Sequence, residues 1–378
     1  MEIPKRNSKN ANWIGIDVGG ANIKIADLNG KRDSVAFPMW TDYRSLTKTL
    51  DGLVREFSGS DVGRLNVAAT MTGELADCFA SKREGVRYIC QCLQQVTVGA
   101  VPVETTSNDS RCVIYRISDS GGKFVSPCEA AETWKTVAAA NWHALASWVA
   151  KASDGESGVL FDIGSTTTDI IPFSSRQCVS DSVTDIERIR SGELVYTGVV
   201  RSPVCALVQE FEYAGRRYPL AQEFFATVLD AYLVLGLLPE SESNRFTADG
   251  RPSTISCAKQ RLARCLCADS IELDDEMLVQ LARRIVKVQQ ALIEKQFERV
   301  CDSLCSSQDG SLSVVVSGEG SWLGQQIAGR RTGLSVTSLA QMFDGKADNT
   351  SATAFAVAKL AQIAHAHDAD FGATHARC

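Results

Sequence analysis

Two short apolar runs, Trp13 to Val18 and Asn22 to Leu28, open the chain; the turn Val18-Gly19-Gly20 separates them, and the dipeptide Asn29-Gly30 follows. An Asn-Gly between apolar runs signals a tight hairpin, so a three-strand meander is predicted, with Val35 to Met39 as its third strand. Leu46, Leu50, Leu53 and Phe57 recur at helical spacing, and Asn66 to Met71 reads as a buried strand stopping at Thr72-Gly73. A helical stretch is expected from Glu74 to Gln95, a strand at Cys112 to Ile117, and an Ala- and Trp-rich helix from Glu129 to Lys151. The polar turn from Ser153 to Gly158 ends this alternation of β and α and marks a domain boundary.

Past that boundary the opening pattern returns. Val159 to Ile163 runs into Asp-Ile-Gly, and Thr167 to Phe173 can fold back on it as a second strand. The segments Ile14 to Lys24 and Val159 to Asp169 share a strand, an Asp, one apolar residue, a Gly, a small residue and a return strand, which an internal duplication explains most simply. The second half then turns mainly helical. One long helix is predicted over Tyr218 to Leu238, and another where Met277, Leu281, Ile285, Val288 and Leu292 follow the acidic Asp274-Asp275-Glu276. A strand at Leu312 to Ser317 leads through Gly318-Glu319-Gly320 into a helix from Ser321 to Gly329, and a last periodic stretch runs from Thr350 to Ala366. The expected organisation is α/β: a first domain over residues 1–152, an enlarged second copy over 153–345, and a C-terminal helix at about 346–367 packing back on the first.

A chain of 378 residues has room for two such domains. With 44% hydrophobic and 22% charged residues it falls outside the disordered, collagenous and coiled-coil classes. Lys plus Arg total 39 against 45 Asp plus Glu, so there is no basic surplus for neutralising nucleic-acid phosphates, and no such partner is expected. The most apolar run, Phe224 to Leu238, spans 15 residues and contains Asp230, too short and too polar to cross a bilayer. The polar start MEIPKRNSKN lacks a signal core, and a cytoplasmic location without membrane attachment is expected. Thirteen cysteines, an odd number without a secretion signal, imply reduced thiols. The pairs Cys90/Cys92, Cys265/Cys267 and Cys301/Cys305 lack the two-residue gap of a zinc knuckle.

The candidate chemistry lies in the repeats. A glycine turn lets backbone amides approach an anion, so Gly19, Gly20 and Asn22 in the first copy and Gly164, Ser165, Thr166 and Thr167 in the second are candidate phosphate contacts. Asp17 and Asp162, at the strand ends, are candidate ligands of Mg2+, which takes one or two carboxylates beside waters and phosphates. Each turn alone reads equally as an ordinary tight hairpin. The pair, with hydroxyl residues running from Ser165 to Thr168, points to a diphosphate or polyphosphate held in a cleft between the halves. Lys24, on the same strand face as Asn22, reaches an anion at the turn or faces solvent. Glu74 and Asp77 follow a strand end, where α/β ligand clefts open, and are candidate acid–base groups or helix-start acids. Glu193 and Tyr196 belong to a site or to a solvated turn. Gly318 and Gly320 are further phosphate candidates, with Glu319 contacting a ribose or amine or capping the following helix. His143 reads as a packed core residue, and His365, His367 and His375 as helix-end and tail residues rather than a metal site.

The two Asp-x-Gly hairpins resemble the phosphate-binding strands of the actin, sugar-kinase and acetate-kinase superfamily, and the segment Val314 to Gly320 resembles its adenosine element. More narrowly, Met71-Thr72-Gly73-Glu74-Leu75-Ala76-Asp77, Phe161 to Asp169, and Ser191-Gly192-Glu193-Leu194 followed by Tyr196-Thr197-Gly198 resemble the hydantoinase and oxoprolinase-like branch. Within it the resemblance is to the methanofuran-biosynthesis synthases, also described as tetrahydromethanopterin-linked C1 transfer pathway proteins; Asn141-Trp142 and Asp348-Asn349-Thr350 are weaker matches. The resemblance implies two duplicated actin-like (ribonuclease H-like) domains around a central cleft. It also implies a transferase that joins an aminomethylfuran-methyl diphosphate to the phenol of a γ-glutamyl-tyramine-like acceptor and releases pyrophosphate. Because the furan-methyl carbon forms a stabilised cation, such an enzyme must neutralise the leaving group, with Mg2+ and the two turns, and present a base such as Glu74, Asp77 or Glu193 to the phenol. ATP is possible but not required, and the sequence sets no oligomeric state. A small-molecule kinase or hydrolase, or a nucleotide-regulated binding protein without turnover, are the alternatives on the same fold.

Overall fold

The computed structural model of the protein describes residues 12–58, 65–99, 111–118, 121–305, 312–343 and 345–375; the polar lead at residues 1–10 and the side chains of His367 and His375 lie outside what is described. Strand β1 (Asn12–Val18) buries every residue but its first, as an apolar run flanked on both sides must. It pairs antiparallel with β2 (Asn22–Asp27), which pairs antiparallel with β3 (Arg32–Ala36). Gly30, at φ 103°, closes the second turn, and pairing begins at once with Ala26 opposite Arg32, so β3 starts three residues before the predicted position. The wholly buried β4 (Leu65–Met71) lies parallel to β1 on its other side. Next come β5 (Cys112–Ser118), parallel to β4, and β6 (Gly121–Val125), antiparallel to β5, giving the order β3-β2-β1-β4-β5-β6.

One face of this sheet sends Ile14, Ile16, Val18, Ile23, Ile25, Val67 and Met71 into a core shared with the helices Leu46–Ser58 and Lys82–Gly99. The helix Ala352–His375 covers the other face, and Gly15 makes room for it: a Cβ there would stand 1.7 Å from the Ala354 carbonyl oxygen.

The helical stretch predicted from Glu74 is interrupted. A single 3-10 turn spans Gly73–Leu75, and the helix starts only at Lys82, where the Ser81 hydroxyl accepts from the Glu84 amide and the Glu84 carboxylate accepts from the Ala80 amide. The Ala- and Trp-rich stretch likewise breaks into Pro127–Glu132, Trp134–Val137 and Asn141–Ala152, first at Thr133 and again where Ala139 takes up a left-handed conformation at φ 51°. His143 is packed as expected, hydrogen-bonded to the Tyr115 hydroxyl at 2.8 Å.

The second sheet contains β7 (Gly158–Ile163), β8 (Thr168–Ser174), β9 (Gln177–Cys178), which extends from β8, and β10 (Leu194–Val195). A separate hairpin joins β11 (Glu210–Tyr213) to β12 (Arg216–Pro219) before β13 (Leu312–Ser317) and β14 (Leu334–Ser338) complete the sheet in the order β10-β8-β7-β13-β14. With β9, which lies off this path, set aside, the order counted from its own first strand is third, second, first, fourth, fifth, the order of β3-β2-β1-β4-β5, so the duplication holds at the level of topology. Two compact units result, Met1–Gly158 with Ile171–Glu187 and Thr337–Cys378, and Val159–Ile170 with Arg188–Val336.

In the second unit Phe161 of β7 stacks on Phe297 of the long helix Asp275–Cys305, the ring centroids 4.6 Å apart. The long helix predicted over Tyr218 to Leu238 is not formed. Arg216–Pro219 is a strand, and a reciprocal cap between Thr227 and Asp230 delays the helix to Val228–Val234, after which Gly236 turns away at φ 65°. Asp230 is committed elsewhere as well, in a buried ion pair with Arg261 that also engages Asp249. No helix of the described residues is long and apolar enough to cross a membrane. Cys90 and Cys265 are buried thiols whose pKa values burial pushes up to about 12.

Replacing Gly15 by Ala should drive a methyl group into the Ala354 carbonyl and destabilise the protein by about 1–3 kcal/mol or more, whereas Gly20→Ala, with nothing within 4 Å of its Cβ, should leave denaturant midpoints unchanged. Equal midpoints for the two variants would refute the close packing of the C-terminal helix on β1.

Candidate active site

In the first unit Asp17 is the last residue but one of β1, level with Lys24 on β2 and Thr70 on β4, so these three side chains share one face of the sheet. Asp17 is 2% exposed; its Oδ2 lies 3.5 Å from the Lys24 ammonium, while its Oδ1 and the Thr70 hydroxyl are buried without a hydrogen-bond partner among the described residues. The chain then turns tightly, the Gly19 amide donating to the Asn22 carbonyl at 3.0 Å. Gly19 is needed here because a Cβ would come within 2.6 Å of that carbonyl oxygen, whereas the Gly20 position is open and Asn22 is exposed.

The chain leaving β4 packs onto this turn, with the Thr72 amide donating to the Val18 carbonyl at 3.0 Å and Gly73 in contact with the Val18 and Gly19 carbonyls. Glu74 follows, 1% exposed, neither carboxylate oxygen meeting a hydrogen-bond partner in good geometry. Gly85 admits it: a Cβ there would lie 2.6 Å from the Glu74 Cα. Burial pushes the Glu74 pKa up from 4.5 to about 7, a rise tempered by its own amide, the Lys82 charge and the Ala139 amide, and reinforced slightly by Asp185. Lys82 and Asp185 form an ion pair at 3.9 Å. Asp77 differs from the expectation of a helical position: it is exposed in a turn ahead of the helix.

The second unit repeats the device. Asp162 is the last residue but one of β7, half-buried, its Oδ1 accepting from the Ser317 hydroxyl at 2.7 Å. The Gly164 amide donates to the Thr167 carbonyl at 2.9 Å, the same bond that Gly19 makes. The side chains of Ser165, Thr166 and Thr167 are half-buried, while Thr168 turns inward and donates to the Thr197 carbonyl at 2.7 Å. The turn after β13 packs on this hairpin as its counterpart does in the first unit. Gly318, at φ 84°, would carry a Cβ 2.2 Å from the Ile163 carbonyl oxygen, and a Cβ on Gly320 would meet Ile163 and Val199. Both glycines therefore have a packing role; Glu319 between them is exposed. Met71-Thr72-Gly73-Glu74 and Val316-Ser317-Gly318-Glu319 are equivalent, which the strand order reveals and separate reading of the two segments does not.

Glu193 is buried between the helix Asp185–Ser191 and β10, its carbonyl accepting from the Ile170 amide at 2.8 Å. Arg188, nearly fully buried, pairs with Asp169, the residue that occupies the repeat position of Lys24. Gln289 is another residue the sequence reading passed over. It lies on the buried stripe of Ile285 and Ile293 and donates to the Thr197 hydroxyl at 2.8 Å and the Gly198 carbonyl at 2.7 Å; a polar residue on an apolar stripe was the available signal.

Two five-strand repeats of one order, each with an Asp at the end of its first strand and a glycine turn after it, define an α/β protein of two duplicated actin-like domains. The chain belongs to the hydantoinase/oxoprolinase family, which it matches over residues 66–364. It is 31% identical over 354 residues, 92% of this chain and 97% of the relative, to the (4-{4-[2-(gamma-L-glutamylamino)ethyl]phenoxymethyl}furan-2-yl)methanamine synthase of Methanocaldococcus jannaschii. To the synthase of the same name from Methanococcus vannielii it is 30% identical over 162 residues, 43% of this chain and 70% of that one. Among solved structures, nucleotide-free acetone carboxylase superposes with a TM-score of 0.53 at 10% identity over 92% of this chain and 70% of that one, a likeness of fold alone. The protein is an enzyme.

Because the folded protein holds the Glu74 proton more tightly than the unfolded chain does, stability should fall as pH rises from about 4.5 to about 7, by about 3 kcal/mol from this residue. Glu74→Gln should remove that slope, so the variant gains on the wild type between pH 5 and pH 8 in paired urea titrations. A constant difference across that range would show that Glu74 is not held in an apolar site.

Proposed function

We propose that this enzyme joins an aminomethylfuran-methyl diphosphate to the phenol of a γ-glutamyl-tyramine-like acceptor and releases pyrophosphate, in methanofuran-type cofactor biosynthesis. The names of the relatives, one matched over 97% of its length, support the pathway. The observation that carries the chemistry is Glu74, a buried carboxyl whose pKa is pushed up to about 7, next in the chain to Gly73, which packs on the first glycine turn. In the reaction the phenolic oxygen bonds to the furan-methyl carbon, the bond from that carbon to the diphosphate oxygen breaks, and its electron pair leaves with pyrophosphate. The phenolic proton passes to Glu74, which burial makes a stronger base than an ordinary carboxylate. Asp77, exposed, and Glu193, tied into its strand through its backbone, are the weaker of the three acid–base candidates.

The leaving group carries the larger charge. Mg2+ is an ion content with one or two carboxylates when phosphate and water complete its shell. The strand-end carboxylate of each unit is a candidate to hold it, Asp162 in the second and, separately, Asp17 through its unpartnered Oδ1 in the first, and when bound it would neutralise charge building on the diphosphate. Gly20 and Asn22 in the first turn, and Ser165, Thr166 and Thr167 in the second, would supply amide, amide side-chain and hydroxyl donors to phosphate oxygens, with Lys24 as a further cation; Gly19 and Gly164, whose amides close the turns, and Gly318 and Gly320 would act by shaping them. ATP is not required by this reading.

Glu74→Gln should lower kcat by about 10²–10⁴-fold, with the deficit shrinking as pH rises toward the phenol pKa near about 10 and with diphosphate affinity unchanged. Asp162→Asn should abolish Mg2+-dependent turnover while leaving the denaturant midpoint close to wild type. Pyrophosphate release from the furan-methyl diphosphate, measured without ATP, is the assay for both; ADP formation dependent on a small acceptor, with no such release, would replace this reading with a kinase.

A further inference from the structure

Tyr196 is 70% exposed, yet the residues on both sides of it are fixed. Leu194 and Val195 pair with Asp169 and Thr168 in β8, so Tyr196 leaves the ladder directly after the Val195–Thr168 pair, at the end of the second phosphate-candidate turn, whose last residue is Thr167. The chain does not continue as a strand. The Thr197 amide donates back to the Val195 carbonyl at 2.7 Å, a γ-turn with the exposed Tyr196 at its apex.

Beyond the apex the backbone is locked. The Thr197 hydroxyl lies 2.6 Å from the Ser202 hydroxyl and accepts from the Gln289 amide group, Gln289 in turn accepts from the Tyr232 hydroxyl at 2.6 Å, and the Gly198 carbonyl takes a second bond from Gln289. Gly198 then presses on the turn itself: a Cβ there would lie 2.3 Å from the Gly164 carbonyl oxygen and 2.6 Å from the Thr166 amide nitrogen, and the Val199 amide donates to the Gly164 carbonyl at 3.0 Å. A buried network of five polar groups is a large structural outlay for a loop whose apex is an exposed phenol ring; it makes sense if the ring must stay in register with the turn.

We propose that Tyr196 is the floor of an aromatic-ring subsite beside the second turn, on which the ring of the diphosphate substrate stacks. The inference rests on the proposed function and deepens it by assigning recognition of the ring, as distinct from the diphosphate. The ligand class follows from reach. A tyrosine at the end of a phosphate-binding turn meets a ring carried one carbon from the phosphate, as in an arylmethyl diphosphate, whereas the base of a nucleotide stands beyond a ribose. Tyrosine offers a flat, rigid face at low entropic cost, on which an electron-rich furan can stack in the offset arrangement that aromatic quadrupoles favour.

Calorimetry with two stable probes and one nucleotide tests this: furan-2-ylmethyl methylenediphosphonate, methylenediphosphonate without the ring, and α,β-methylene-ADP, each with Mg2+, against wild type, Tyr196→Ala and Tyr196→Phe. Wild type should bind the furan probe about tenfold more tightly than the ring-free one. Tyr196→Ala should erase that preference while binding methylenediphosphonate unchanged, and Tyr196→Phe should retain it. A Tyr196→Ala protein that keeps the preference, with an unaltered denaturant midpoint, overturns the subsite and leaves the proposed function standing. Loss confined to the nucleotide analogue also overturns it, assigning the ring to a base. Failure of wild type to bind either diphosphonate overturns the proposed function and the subsite with it.

Discussion

Backbone must touch backbone at the two hairpin turns, and the rest of the architecture is arranged so that it can. Gly73 lies against the Val18 and Gly19 carbonyls, Gly318 against the Ile163 carbonyl, and Gly198 against Gly164 to Thr166, contacts in which any Cβ would be within about 3 Å of another atom. These approaches dock the chain leaving the fourth strand of each unit onto the turn after the first, and so deliver the residue that follows, Glu74 in one unit and Glu319 in the other. The same packing keeps Asp17 and Asp162 at strand ends, where a carboxylate has few neighbours to satisfy it. Charge and open backbone are thereby concentrated at the same edge in both units.

Starting from that shared frame, the copies have diverged in charge. The position seven residues after the strand-end Asp is Lys24 in the first unit and Asp169 in the second. Lys24 offsets Asp17 within the hairpin at 3.5 Å, whereas Asp169 would add to the charge of Asp162 and is instead paired with the buried Arg188. A buried arginine with a carboxylate partner is costly to desolvate and is tolerated when losing either member would be costlier still. The glutamates diverged in the opposite sense, Glu74 buried and Glu319 exposed, and it is burial that raises the pKa of Glu74.

The fold bears a cost for Glu74. Its carboxylate is desolvated with no hydrogen bond in good geometry, and the amide that approaches it belongs to Ala139, a residue with a side chain in a left-handed conformation that costs about 1 kcal/mol. Strain and an unsatisfied carboxyl in one place are what stability alone would remove, and their persistence fits a site held for chemistry at the expense of the fold. Other buried polar side chains do find partners, as in the Tyr232-Gln289-Thr197 chain and the Asp230-Arg261 pair, whereas Asp17 Oδ1 and the Thr70 hydroxyl share the unpartnered state of the Glu74 carboxylate.

Much of this was legible along the chain because it depends on local pattern. The hairpin ending in Asp17, its repetition at Asp162, and the apolar strands at Asn66 to Met71 and Leu312 to Ser317 all follow from side-chain period and turn chemistry, which act between neighbours in sequence. The sequence alone thus determined the α/β class, the duplication and the two Asp-glycine turns, together with the family motifs carried on them. Where helices begin and end was less legible, since Thr227 capping with Asp230, Ser81 with Glu84, and the left-handed Ala139 each overrode an apolar periodicity that continued through them. Only the tertiary structure could decide that Glu74 is buried and Asp77 exposed, that Gly318 and Gly320 serve packing, and that Gln289 and Arg188 support the second turn. Those properties depend on which atoms surround a group, and the atoms come from segments as far apart as residues 74 and 139, or 197 and 289. Burial, and with it the acidity of a carboxyl, is set by neighbours that no local window of sequence contains.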